Sequence, residues 1–213
     1  MTNREVSALF KQVLPSGSGF RIKGSLAFVS PVHRVLKGFC CEGSSFDKAS
    51  FYVNVFLMPL SIPMTHLYFN LGKRIRDATD ADRWSVTQPN MVADLTRTFS
   101  SEMKSLLTCD DTVIDVAEVA AKLQVEDDPY VQEGIAYLAA QEGHVKEAID
   151  RLERLTKALD RQVSWQSAMA DRVGRIKLLL LANPIDAQEQ LRQWQGETVC
   201  NLHLTDLLAE RAG

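Results

Sequence analysis

Asp127–Leu155 reads DDPYVQEGIAYLAAQEGHVKEAIDRLERL, and the larger part of the fold turns on how it is read. Two amphipathic runs flank Glu142-Gly143-His144, a short junction closed by glycine, so the stretch spells a helical hairpin. Gly134, Ala136, Ala139 and Ala148 are small enough to let two helices approach closely. Ile135, Leu138, Val145, Ile149, Leu152 and Leu155 supply the apolar surface between them.

Moving outward, the helical pattern continues on both sides. Downstream, a long run from about 158 to 181 is interrupted by Asn183-Pro184, which breaks and restarts the helix, and a last helix is expected over 185–208. Upstream, Val113, Val116, Val119-Ala120 and Leu123 form one stripe opened by the candidate caps Asp110-Asp111-Thr112. Met91, Leu95, Phe99, Met103 and Leu106-Leu107 form another. Asp110-Asp111 and Asp127-Asp128 stand where carboxylates complement helix N-termini, so they read as caps rather than as paired catalytic acids.

Before about residue 88 the period changes. Residues 2–13 read as a helix through Val6, Leu9, Phe10, Val13 and Leu14, and Pro15-Ser-Gly-Ser-Gly ends it. Alternation follows, with Phe20, Ile22, Leu26 and Phe28 on one side and Arg21, Lys23 and Ser25 on the other. Further strand-like runs are expected over 35–41, 51–60 and 66–71, separated by Ser, Gly, Pro and Asp of the turn-forming kind. The connections are too short for crossover helices, so the strands form an antiparallel meander. The fold class is therefore α+β: an N-terminal helix plus a meander of about four strands over 1–87, then an all-helical part over 88–213 with its hairpin at about 128–157.

The 213-residue chain is long enough to bury a core, and 46 % apolar with 24 % charged residues is an ordinary globular balance. No run approaches the 18 to 20 apolar residues of a membrane span, and the start lacks the apolar centre of a signal peptide, so the expected location is cytoplasmic. Cys40, Cys41, Cys109 and Cys200 allow neither a disulfide framework nor a paired-cysteine metal site and read as reduced thiols. The glycines of residues 14–26 follow a helix and lead into a strand. That is the reverse of a phosphate-binding loop, and they read as a turn.

Charge divides unevenly along the chain. Residues 1–109 carry 13 Lys+Arg against 8 Asp+Glu and residues 110–213 carry 11 against 19, so +5 and −8 sum to the net −3. If Ile22, Val53, Val55, Leu67, Phe69 and Leu71 face the core, then Arg21, Lys23, Tyr52, Asn54, His66, Tyr68 and Asn70 share the opposite sheet face with Phe56 and Met58. These seven residues are the candidate partner-binding set. With Lys37, Lys73, Arg74 and Arg76 added, the same surface could bind nucleic acid by stacking and phosphate contact.

No catalytic motif surrounds His33, His66, His144 or His203, and neither metal-ligand spacing nor a cofactor fingerprint occurs. No catalytic residue, metal or cofactor is assigned. An enzyme built on Cys40 or Cys41 with His33 or His66 and Asp47 is the weakest of three readings.

Two resemblances bear on the function. Gly134, Tyr137, Gly143 and Ala148 partly show the spacing of a tetratricopeptide-type hairpin, which a solenoid would repeat at a fixed period; no second copy is found. The order GFRIKGSLAFVS, FYVNVFLMP, HLYFNLGKRI and then GIAYLAAQEGHVKEAIDRL resembles, over about residues 5–155, a bacterial domain-of-unknown-function family (DUF4304-like). This chain has Arg21-Ile22-Lys23 where that family carries a longer basic run. The resemblance implies no catalytic residues and an adaptor or immunity and defence-associated role.

The expected function is a non-catalytic protein-interaction module, using the acidic helical surface or the Tyr52/Tyr68 sheet face. Another protein is the expected partner, nucleic acid the alternative, and a homo-oligomer is compatible with both.

Overall fold

A computed structural model of the chain describes residues 1–15 and 17–205. Ser16 of the expected turn, residues 206–208 of the expected last helix and the side chain of Leu106 lie outside the described residues. The class is α+β: an N-terminal helix, an antiparallel sheet and then helices.

The chain forms two compact units. The first comprises Met1–Leu57 and Leu71–Cys109, and the second comprises Met58–Asn70 and the helices from Asp110 onward. The later boundary thus falls at Cys109/Asp110 rather than at 87/88, because the first helix after the sheet packs with the sheet's own unit.

In the first unit, α1 (Asn3–Val13) starts at a reciprocal cap between Thr2 and Glu5 and buries Val6, Leu9, Phe10 and Val13. β1 (Phe20–Lys23) and β2 (Leu26–Val29) form a hairpin, followed by β3 (Val35–Gly43), β4 (Ser50–Pro59), β5 (Gly72–Arg74) and β6 (Trp84–Ser85). The order is β1-β2-β3-β4-β5, with β6 pairing β4. α2 (Met91–Glu102) follows and runs into a π-helical turn, Met103–Leu107.

The hairpin alters the expected alternation. Gly24, at φ +60°, turns the chain with Ser25, and the register sets Lys23 opposite Leu26 and Arg21 opposite Phe28. Cross-strand partners share a face, so Leu26 and Phe28 lie on the side of Arg21 and Lys23, not of Phe20 and Ile22. On the Phe20 side, Phe39 stacks on Phe99 of α2 at 4.0 Å, Phe20 lies 5.8 Å from Phe39, and Phe10 of α1 lies 6.1 Å from Phe99. Helices α1 and α2 therefore close this face around an aromatic centre.

Residues 66–71 form no strand. In the segment just before them, backbone groups of Ile62 and Met64 find helix side chains instead of a neighbouring strand. The Thr198 hydroxyl donates to the Ile62 carbonyl at 2.8 Å and accepts from the Met64 N–H at 3.1 Å, and the Asn201 amide donates to the Met64 carbonyl at 3.0 Å. Those two residues therefore need no strand ladder, and the chain returns to β4 only at Leu71, whose carbonyl accepts from the Leu57 N–H at 2.8 Å.

The second unit is helical: α3 (Val113–Leu123), α4 (Pro129–Gln141), α5 (Val145–Ala158), α6 (Ser164–Ala182) and α7 (Pro184–Asn201). Caps act where the sequence places them: Thr112 accepts from the Asp115 N–H, Asp128 from Tyr130 and Val131, and Asn183 from Ile185. The α4–α5 hairpin turns through Gly143 at φ +83°. Helix α4 packs on α5 and α7, α5 on α6, and α6 on α7, so the four close into a ring. Accordingly α4 is buried from Val131 and Glu133 through Ala140, the pattern of a central helix. Its Gly134 faces Pro59: a Cβ there would stand 2.6 Å from the proline Cγ.

Candidate functional site

The expected partner-binding residues do not assemble into one surface. Arg21, Lys23, Tyr52 and Asn54 do share a face. The registers link Arg21 and Lys23 to Phe28 and Leu26 and those to Gly38 and Cys40, and the Asn54 amide donates to Glu42 at 3.2 Å. Order within the sheet separates them, since β1 lies three strand spacings, about 14 Å, from β4. Between them Leu26, Phe28, Leu36, Cys40, Phe56 and Met58 are buried, so the middle of that face is not a free surface.

His66, Tyr68 and Asn70 lie outside the sheet, in the second unit. Tyr68 is buried, donates to the Pro59 carbonyl at 3.4 Å and stands at the inner end of an aromatic row with Tyr130 and Trp165. Its burial, and after it the nearby carboxylates of Glu133 and Asp128, push its hydroxyl well above the usual range. Asn70 donates to Asp128 at 2.9 Å, whereas His66 is exposed beside Thr65.

The residues that the structure does gather are the basic ones of β5 and its exit. Lys73, Arg74, Ile75, Arg76, Asp82, Thr98 and Glu102 line an open depression of about 560 Å³ in the first unit. Lys73 pairs with Glu102 at 2.9 Å, and Arg76 pairs with Asp80 and Asp82, both at 3.1 Å. Arg74, opposite Asn54 in the register, differs: its guanidinium lies 4.4 Å from the centre of the Tyr52 ring. Among the described residues no carboxylate pairs with Arg74. Lys37 sits on the opposite face of the sheet, and its ammonium donates to the Cys109 carbonyl at 2.6 Å.

Thr98, Asp82 and Glu102 were not singled out by sequence, since they lie on other elements. The second omission, Glu133, carried a visible signal. It is an acidic residue inside the otherwise apolar run of α4, is 0 % exposed, and receives a fork from Arg172 at 3.1 and 2.9 Å and the Tyr137 hydroxyl at 2.9 Å. Burial pushes its carboxyl upward, against the pull of Arg172 and Tyr137.

Cys40 and Cys41 are buried, and burial pushes their thiols up to about 11 and about 12, so near neutrality both carry their protons and are poor nucleophiles. Among the described residues, no group of three or more His, Cys, Asp and Glu could hold a metal ion, and no helix is long and apolar enough to cross a membrane. Compared with known proteins, the chain matches no family model, no curated protein and no solved structure.

Proposed function

We propose that this chain is a non-catalytic protein-interaction module that takes an acidic segment of a partner protein at the depression beside β5. The observation that carries the reading is Arg74, which contributes to the rim of this depression and lies over the Tyr52 ring, with no carboxylate paired to it among the described residues. A guanidinium over a ring face keeps N–H groups available for a carboxylate, and the contact limits the entropy lost on binding. Lys73, on the other face of β5 from Arg74, and Arg76 are already paired, so neither contributes a full free charge.

The same pairing weighs against nucleic acid. Phosphate binding draws its affinity from several cations that exchange counterions for phosphates, and Lys37, Lys73 and Arg76 are engaged within the chain. An adaptor or immunity-associated role, which the resemblance to the bacterial family implies, is compatible with such a site and is part of this proposal.

The test is fluorescence anisotropy of wild type, Arg74→Ala and Tyr52→Ala, with a labelled aspartate- and glutamate-rich peptide and a labelled single-stranded oligonucleotide as probes. The peptide should bind wild type and lose about tenfold or more in affinity with Arg74→Ala. Absence of peptide binding, or tighter oligonucleotide binding that collapses steeply with salt, would overturn the reading.

A further inference from the structure

We infer that the partner's acidic segment binds in extended form, as a strand added to the outer edge of β5, with carboxylates on alternate residues and uncharged residues between them. This deepens the proposed function and rests on it. In the β4–β5 ladder the Leu57 N–H donates to the Leu71 carbonyl and the Ile75 N–H to the Val53 carbonyl, both at 2.8 Å. An antiparallel ladder bonds every second residue. Lys73 is therefore the residue bonded to Val55, while Gly72 and Arg74 turn their N–H and C=O groups away from β4. β5 ends the path of strands, and β6 pairs with β4 rather than with β5. Among the described residues, no loop or side-chain hydrogen bond reaches the backbone of Gly72 or Arg74. Gly72 is half-buried and Arg74 exposed, so two donors and two acceptors stand open, and a strand laid along them takes up all four.

The depression follows this edge. Lys73, Arg74, Ile75 and Arg76 are consecutive, so their side chains leave both faces of the chain, yet all four line it. None of its lining residues belongs to β4, which places it along the outer side of β5 rather than over either sheet face. Thr98 and Glu102 of α2 form its wall on the Lys73 side.

Charge sets the side chains of the occupant. In an antiparallel addition the residue level with Arg74 shares its face, at about 5.5 Å between Cα atoms. An Asp or Glu there reaches the guanidinium that lies over Tyr52. The residues on either side of it point to the Lys73 face, where Glu102 already pairs with Lys73 at 2.9 Å. A carboxylate on that face would meet Glu102, so an uncharged residue fits there. The same charges turn away a second copy of this chain, because β5 against β5 would gather the Lys73 and Arg74 of both copies on one short ladder.

The probe is a peptide of alternating glutamate and threonine, titrated against the wild-type chain beside two forms of it, one N-methylated at every glutamate amide and one at every threonine amide. Charge is identical in all three. Methylating the glutamate amides, which face β5 in this register, should weaken binding by about tenfold or more. Methylating the threonine amides, which face away, should change it by less than about threefold. Hydrogen exchange read by NMR gives the protein side: saturating peptide should slow the Gly72 and Arg74 amides by about tenfold or more and leave the Lys73 amide, already in the ladder, unchanged. Suppose the peptide binds and loses affinity with Arg74→Ala, yet both methylation patterns act alike or the Gly72 and Arg74 amides stay unprotected. The added strand is then overturned while the acidic-segment site stands. A peptide that does not bind the wild-type chain overturns both.

Discussion

Removing Arg172 should create a pH-dependent defect whose size follows from the burial of Glu133. In Arg172→Met the carboxyl of Glu133, 0 % exposed, keeps the Tyr137 hydroxyl but loses both guanidinium bonds. An uncompensated buried charge costs about 3 to 5 kcal/mol, and the side chain can avoid that cost by taking up a proton. Protonating a carboxyl of ordinary pKa about 4.3 at pH 7 costs about 1.4 kcal/mol per unit, or about 3.7 kcal/mol, which sets a ceiling on the defect. Glu133 in the variant has a pKa raised above its unfolded value. Its folded form is therefore favoured where it is protonated, and the penalty grows as pH rises through and above the unfolded pKa. The deficit relative to wild type should be at most about 3 to 4 kcal/mol at pH 7, reduced by the share of the burial penalty that wild type already bears, and should shrink to at most about 1 kcal/mol at pH 5. Urea unfolding followed by far-UV circular dichroism measures both, and adding Glu133→Gln to Arg172→Met should recover much of the loss at pH 7. A deficit that does not change with pH, or one below about 1 kcal/mol at pH 7, would mean that Glu133 is not held charged by Arg172.

Other outcomes follow from single features. Gly196→Ala, whose Cβ would meet nothing within 4 Å, should raise stability by up to about 1 kcal/mol, whereas Gly134→Ala in α4 should lower it by about 1 to 2 kcal/mol because the Pro59 ring blocks the new methyl; thermal melts of the two variants give the signs. A thiol reagent at pH 8 should label exposed Cys200 at once and Cys109 more slowly, and should reach Cys40 and Cys41 only after denaturation; rapid labelling of either buried thiol in native protein would contradict the assigned burial. Partial burial pushes the Asp77 carboxyl up, but bonds from Thr79, Gln88 and Ala81 outweigh it and bring it down to about 2. Its contribution should be full above about pH 4 and vanish as pH falls towards 2, so an Asp77→Ala variant should be less stable than wild type at pH 7 and converge with it near pH 2.

The elements that sequence periodicity revealed are those whose signal is local. Helix α1 follows from the three- and four-residue spacing of Val6, Leu9, Phe10 and Val13. The α4–α5 hairpin follows from two amphipathic runs around a glycine that adopts positive φ. The run His66–Leu71 misleads because its alternation is real while the backbone just before it, at Ile62 and Met64, is held by helix side chains far along the chain. The stretch from Phe20 to Phe28 misleads differently: two residues of turn invert the face of everything after Lys23, and a period-two pattern cannot show that.

The candidate site was legible in residue type and only partly in place. Tyr52 and Asn54 share a face as alternation requires, yet Arg74 joins them through a register that no local pattern specifies, and Tyr68 leaves them for an aromatic row among helices. By itself the sequence determined the fold class, the positions of most helices and long strands, and the absence of familiar catalytic motifs, because these depend on side chains within a few residues of one another. Tertiary structure alone decided which sheet face is covered, which cations are already paired, and which aliphatic residues remain in water, because each depends on neighbours brought together from distant parts of the chain.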